Sequence, residues 1–585
     1  MDYSKLSPEL AIIVDEHSEG GDEALTAYAA EDEPSQLVGV SRPDRPTRVI
    51  FTLECVPDAD LSGLAQHGIE INETEGRVRT GIAEITELPR LAAHPGVIRI
   101  SSAQPHNAFM DVAPGKVGLP AFKKRTGLTG KGVIVGVIDS GIDPKHPAFA
   151  GRILKIWDQT AKHEEGFAYD SVRRKPTGYD YGVEYVKPHF GDVGDSTGHG
   201  THVAGIAAAA DQKYPGVAPG ADLVVVKVNP AQLDTHLKNG IDYVFALAKT
   251  LKRPAVVNIS LGTHADPHDG TGALCQAIDE AAGPGKIICC AAGNQALDDI
   301  HAQARVGKNT PESIKFTQSP SGLGTWSWLN GWYSGADEIE IEIICPDGGS
   351  TGYQPILPNG PTGKPHKNYL LSDRWKVRIA TPGPDPANKD HQFRVQFLGL
   401  EAGKPWTMRL RAKKAGDTSV QVDVWCSEDL EFDADHAQET MTVAAPGCAT
   451  SAITVGAYTT KNRWRDIKNK NQTIKGLDLD EVVATSSKGP RRDDVRKPDL
   501  VAPGVVIVSS RSAGSSAKSG YLVDDRHVVQ YGTSMASPFV AGVIALLLSQ
   551  DPTLDAEKAR KKLKYTKNKT YNVDSWGAGL IALPE

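Results

Sequence analysis

The chain has 585 residues, 40% hydrophobic and 23% charged, with a formal net charge of −8. That length exceeds one ordinary core and predicts about two to four domains. The acidic balance argues against nucleic acid as a partner. The longest apolar runs, such as VIALLL at 543–548, are too short to span a bilayer.

In chain order, residues 1–45 read as an acidic arm, with ten Asp or Glu and one Lys between Met1 and Ser35. The start has no basic segment leading into an apolar one, so no secretory signal is read, and a cytoplasmic or intracellular location is expected. Residues 46–105 read as a small α+β unit: TRVIFTLECV a strand, LSGLAQHG a helix, then RVRTGIAEI, ELPRLAAHPG and VIRISSA as strand, helix and strand. Residues 106–128, rich in Pro, Gly and Ala, are expected to be a linker. From 129 to 296, apolar strands (KGVIVGVIDSGID, ADLVVVKV, AVVNISLG, KIICCAAGN) alternate with helices (HGTHVAGIAAAA, LKNGIDYVFALAKT, TGALCQAIDEAAG), the pattern of an α/β parallel sheet covered on both faces. Residues 297–442 change to strands of alternating polarity between Pro and Gly turns, including ADEIEIEIICP, RWKVRIATP, HQFRVQFLGL, WTMRLRAKK and VQVDVWCS. That pattern predicts an inserted antiparallel β-sandwich. The α/β pattern resumes over 443–585, beginning with PGCATSAITVGAY. The seven cysteines are odd in number and contain no CxxC pair, so reduced, buried thiols in a reducing compartment are expected rather than disulfides or zinc.

Four short motifs carry chemistry. VIDSGID holds Asp139, GDSTGHGTHVAG holds His199, CCAAGN ends at Asn294 and GTSMASPFVAG holds Ser534. A serine hydroxyl is a feeble nucleophile at neutral pH and needs a base within hydrogen-bond reach. Ser534 opens a long apolar helix, whose first N–H groups point at the reacting oxygen. His199 supplies the base, Asp139 orients it, and Asn294 can donate to a developing oxyanion; together these complete the parts list for acyl transfer. An HxxH pair is formed with His202, but no third metal ligand follows it, so a metal site is not expected there.

These motifs, in the order Asp, His, Ser, resemble those of the subtilisin-like serine proteases (subtilases, peptidase S8), which differ in triad order from other serine hydrolases. The resemblance implies a subtilisin-like catalytic domain and peptide-bond hydrolysis through an acyl-enzyme, with protein or peptide substrates. It implies substrate pairing with Ser260, Leu261 and Gly262 as an added strand. It also puts Ala291, Ala292 and Gly293 on the wall of the pocket for the side chain preceding the scissile bond. The unit at 46–105, through LPRLAAHPGVIRI, resembles the ferredoxin-like propeptide of that family, which implies a proenzyme whose own N-terminal domain inhibits it. The insertion, jelly-roll-like, resembles the arrangement in clostridial Csp germination proteases. No cofactor is required by this chemistry. Ala148 stands where many relatives carry a calcium-binding Asp, and DQKYPGVAPG lacks their Asn-rich segment, so the best-known calcium site is not carried over; calcium elsewhere stays open. Two other readings stay open as well: an exopeptidase of the same fold, and a binding or signalling protein on a protease scaffold.

Overall fold

A computed structural model describes residues 5–6, 14, 17–18, 20–21, 48–56, 58–71, 78–102, 113–161, 169–179, 181–187, 190, 193–228, 233–308, 310–319, 326–357, 366–416 and 419–583. The chain divides into two units, Met1–Ala108 and Phe109–Glu585. The acidic arm read over 1–45 lies mostly outside the described residues.

In the first unit, Arg48–Cys55, Glu70–Ile71, Val78–Glu84 and Val97–Ser102 form an antiparallel sheet. Spatially, Glu70–Ile71 lies beside Val78–Glu84, then Arg48–Cys55, then Val97–Ser102. Alternation along Arg48–Cys55 sends Val49, Phe51 and Leu53 to one face, where they bury against Leu64 of a 3₁₀ turn and Leu88 and Leu91 of helix Leu88–Ala93.

The second unit is built on a ten-stranded sheet. Its spatial order is Lys564–Thr566, Leu580–Ala582, Leu500–Val505, Ile453–Thr459, Lys286–Ala291, Ala255–Ile259, Ile134–Asp139, Asp222–Lys227, Ile153–Asp158 and Val183–Val186. The eight inner strands run parallel, and an antiparallel strand closes each edge. Strand Ile134–Asp139 is apolar up to its terminal Asp because both its faces are covered: Val135 and Val137 join one core, Ile134 and Ile138 the other. The first core holds helices His199–Ala208 and Thr533–Gln550; the second holds Leu233–Leu251 and Ala273–Ala281. Helix Thr533–Gln550 is, at 18 residues, long and apolar enough to cross a membrane, but most of it is buried in this core. An apolar surface all round is what a central helix requires.

Residues 113–126, expected as part of a linker, fold instead as two short helices, Ala113–Lys116 and Leu119–Thr126. Ala113, Val117, Leu119 and Phe122 join the first core, so these segments supply apolar packing rather than slack.

Between strands Lys286–Ala291 and Ile453–Thr459, two antiparallel sheets pack around a core of their own, with Phe316, Trp375, Phe393, Phe397 and Trp406 at its centre. One sheet has six strands (His301–Gly307, Ser419–Cys426, Trp326–Tyr333, His391–Leu398, Trp375–Ala380, His366–Leu371). The other has four (Glu338–Ile344, Trp406–Lys414, Glu312–Gln318, Leu430–Phe432). Stacked rings fasten this insert to the large sheet's loops. His264 lies over His268 with centroids 5.2 Å apart, His268 over Trp425 at 4.0 Å, and Trp425 over His301 at 4.7 Å.

Candidate active site

Asp139 ends its strand at the C-terminal edge of the sheet, where α/β folds gather their sites. Its carboxylate is fully buried, and its Oδ1 accepts hydrogen bonds from the Ser140 N–H and from His199 Nδ1, both at 2.7 Å. Nδ1 therefore carries the imidazole proton, and Nε2 is left with a lone pair. Burial opposes protonation of His199, but the charge and hydrogen bond of Asp139 outweigh it and raise the pKa above 6.5.

His199 opens its helix through contacts that sequence reasoning did not assign. Asp195, buried, accepts at Oδ1 from the Gly198 N–H (2.9 Å) and the Ser140 hydroxyl (2.9 Å), and at Oδ2 from the Thr201 N–H (2.8 Å) and hydroxyl (2.7 Å). The Ser140 hydroxyl accepts in turn from the Gly200 N–H at 2.9 Å. One carboxylate thus ties the first helical turn to the loop after Asp139. Gly200 is required by closeness: a Cβ there would lie 2.2 Å from the Gly141 carbonyl oxygen. His202 faces away from the cleft. Its Nε2 is 3.1 Å from the carbonyl oxygens of both Ile507 and Val528, and burial pushes its pKa down to about 3. Among the described residues, no three His, Cys, Asp or Glu side chains group to hold a metal.

Ser534 is the second residue of helix Thr533–Gln550. Pro538, four residues on, has no N–H, so the Ser534 carbonyl is free of its helical bond. It accepts instead from the Ser260 hydroxyl at 3.0 Å. Buried Asn258 joins the two elements, its Nδ2 donating to Ser260 Oγ (3.0 Å) and its Oδ1 accepting from Ser537 (2.7 Å). The Ser534 hydroxyl donates to the Ser260 carbonyl at 3.3 Å. Asn294 is oriented by its own acceptor: Oδ1 takes the Thr533 N–H at 2.9 Å, which leaves Nδ2 as the free donor of that side chain.

Of the residues expected to meet substrate, Ser260, Leu261, Gly262, Ala291 and Gly293 line one cavity of about 220 Å³ together with Asn294 and Ser534. Ala292 does not line it. It is fully buried, its N–H bonded to Val455 O at 3.0 Å and its carbonyl to the Ala444 N–H at 2.9 Å, so its part is to hold the sheet. The cavity is also lined by His264, Gln295, Ala444, Thr533 and Glu428, which the motifs do not reveal. Glu428 comes from the insert, more than a hundred residues from any motif, and nothing in its local sequence marks it.

The Subtilase family model (Peptidase_S8) matches residues 130–322 and 412–579, well over half the chain. The protein belongs to the subtilase family. It is 25% identical over 470 residues to the serine protease AprX of Bacillus subtilis, covering 78% of this chain and 66% of AprX. It is 31% identical over 262 residues to the extracellular serine proteinase of Thermus sp., covering 42% of this chain and 55% of that protein. The chain spans less than two thirds of the length of these curated relatives. The solved structure of the Clostridium perfringens CspB protease aligns over 80% of this chain and 97% of CspB, with a TM-score of 0.64 and 25% identity.

Proposed function

We propose that this protein is a serine endopeptidase that cleaves peptide bonds through an acyl-enzyme, with Ser534 as nucleophile, His199 as base, Asp139 as its orienting carboxylate and Asn294 as oxyanion donor. The observation that carries the reading is the 2.7 Å Asp139–His199 bond, set beside a cavity lined by both Ser534 and Asn294. The Ser534 hydroxyl turns from the Ser260 carbonyl to His199 as substrate enters. His199 takes its proton as the oxygen attacks, the Asn294 amide and the Ser534 N–H receive the oxyanion, and the imidazolium protonates the leaving amine. Ser260, Leu261 and Gly262 pair with the substrate backbone, while Ala291 and Gly293 wall the side-chain pocket.

The first unit is read as an inhibitory propeptide. Its order of strand, 3₁₀ turn, two strands, α-helix and strand, with Arg48–Cys55 and Val78–Glu84 central, supports a ferredoxin-like domain of that kind. The two antiparallel sheets of the insert support the jelly-roll-like reading. Seven buried cysteines support an intracellular location.

The test is labelling with a fluorophosphonate. Wild type is expected to label and Ser534→Ala not to; no labelling of either protein refutes the assignment. Intact masses of the same pair examine processing: wild type is expected to cut itself between about residues 100 and 118, and the variant to stay whole. Residues 103–112 of that stretch lie outside the described residues.

A further inference from the structure

The cavity beside Ser534 is assembled partly by the insert. Glu428 is the exposed tip of a turn joining strands Ser419–Cys426 and Leu430–Phe432. The turn is held on all sides. The Leu430 N–H bonds to Ser427 O at 2.8 Å, Ser427 exchanges bonds with the Trp328 backbone at 3.0 Å, and the Asp429 carboxylate accepts from the Ser327 hydroxyl. Three residues before it, Trp425 stacks on His268 and donates its indole N–H to Met441 O at 2.9 Å. The tip therefore has a fixed position against the catalytic sheet.

Among the residues lining the cavity, Glu428 carries the only formal charge at neutral pH. The other titratable group is His264, 5% exposed. Burial pushes its pKa down to about 4 against a weaker pull from a hydrogen bond with Gln295, so it lines the cavity as a neutral ring. Gln295 keeps its Oε1 on the Asn294 N–H at 2.8 Å. A cavity with one carboxylate among neutral lining groups disfavours an anion and stabilises a cation.

We propose that Glu428 sets the specificity of the cleft by selecting a lysine or arginine immediately before the scissile bond. This rests on the peptidase reading above. The insert then acts on substrate choice by completing the pocket that the catalytic sheet leaves open.

The experiment measures second-order inactivation rates with peptidyl diphenyl phosphonates ending in arginine, leucine or glutamate, beside a fluorophosphonate with no peptide. Wild type is expected to favour arginine over leucine by about tenfold or more, a ratio that falls to near one in E428Q. In E428K the glutamate probe is expected to overtake the arginine probe. Each ratio is taken within one protein, so a general loss of activity in a variant cancels. An arginine-to-leucine ratio unchanged between wild type and E428Q, with wild type labelled by the fluorophosphonate, overturns the proposal alone. Failure of the fluorophosphonate on wild type overturns the peptidase reading and this proposal with it.

Discussion

At the scale of single residues, the proposed mechanism makes the Asp139–His199 pair set the pH dependence. The imidazole must be neutral to take the Ser534 proton, and its pKa is raised above 6.5. Activity is therefore expected to be lost as pH falls through a midpoint above 6.5, read from kcat/KM against pH on a peptide substrate. Asp139→Asn removes the charge that raises this pKa and favours the wrong tautomer. It should move the midpoint downward and lower kcat by about 10⁴-fold, the loss known for triad aspartates of serine proteases. A midpoint that does not move would show that Asp139 does not govern His199. The four side chains proposed for catalysis are marked in the sequence because each sits in a short motif whose neighbours serve it locally. Asp195, Asn258 and Glu428 were not. Their partners lie at Ser140, Ser537 and in the cavity, and only the fold brings these together.

At the scale of elements, the two helices that present His199 and Ser534 are fixed by polar groups rather than by propensity. Asp195 meets two N–H groups and three hydroxyls around the start of the His199 helix. Asp195→Asn turns one acceptor into a donor against donors, which should cost about 1–3 kcal/mol. The expected outcome is a lowered Tm with a fall in kcat, checked by calorimetry and turnover on the same preparation; an unchanged Tm would refute the role. Strands were legible where burial imposes a period. The buried parallel strands read as apolar runs, and Glu338–Ile344 or His391–Leu398 as strict alternation. Trp326–Tyr333 escaped because Asn330-Gly331 imitates a turn. In the fold, Asn330 Nδ2 donates to Asp266 O at 3.1 Å, and the Phe393 ring fills the space where a Cβ on Gly331 would sit, 1.9 Å away. The short helices of 113–126 escaped for the converse reason, since their Pro and Gly content masks four apolar anchors.

At the scale of the whole molecule, the seven cysteines are buried in all three regions: Cys55 in the first unit, Cys275, Cys289, Cys290 and Cys448 around the large sheet, Cys345 and Cys426 in the insert. Burial raises the thiols of Cys275, Cys289, Cys426 and Cys448 well above their ordinary value, and that of Cys290 to about 12. Thiolate is the reactive form, so the native protein is expected to be inert to Ellman's reagent and to release all seven equivalents in guanidinium. Rapid reaction of the native protein would mean that a core opens readily.

The insert also orders events in time. Its last strand ends at Phe432, when six of the ten strands of the large sheet have been made and Ile453–Thr459, Leu500–Val505, Lys564–Thr566 and Leu580–Ala582 have not. A chain synthesised from its N-terminus therefore holds a complete insert before it holds a complete large sheet, and the proposed nucleophile comes only at residue 534. In the proposed mechanism, the reacting serine is made only after the insert that lines its cavity.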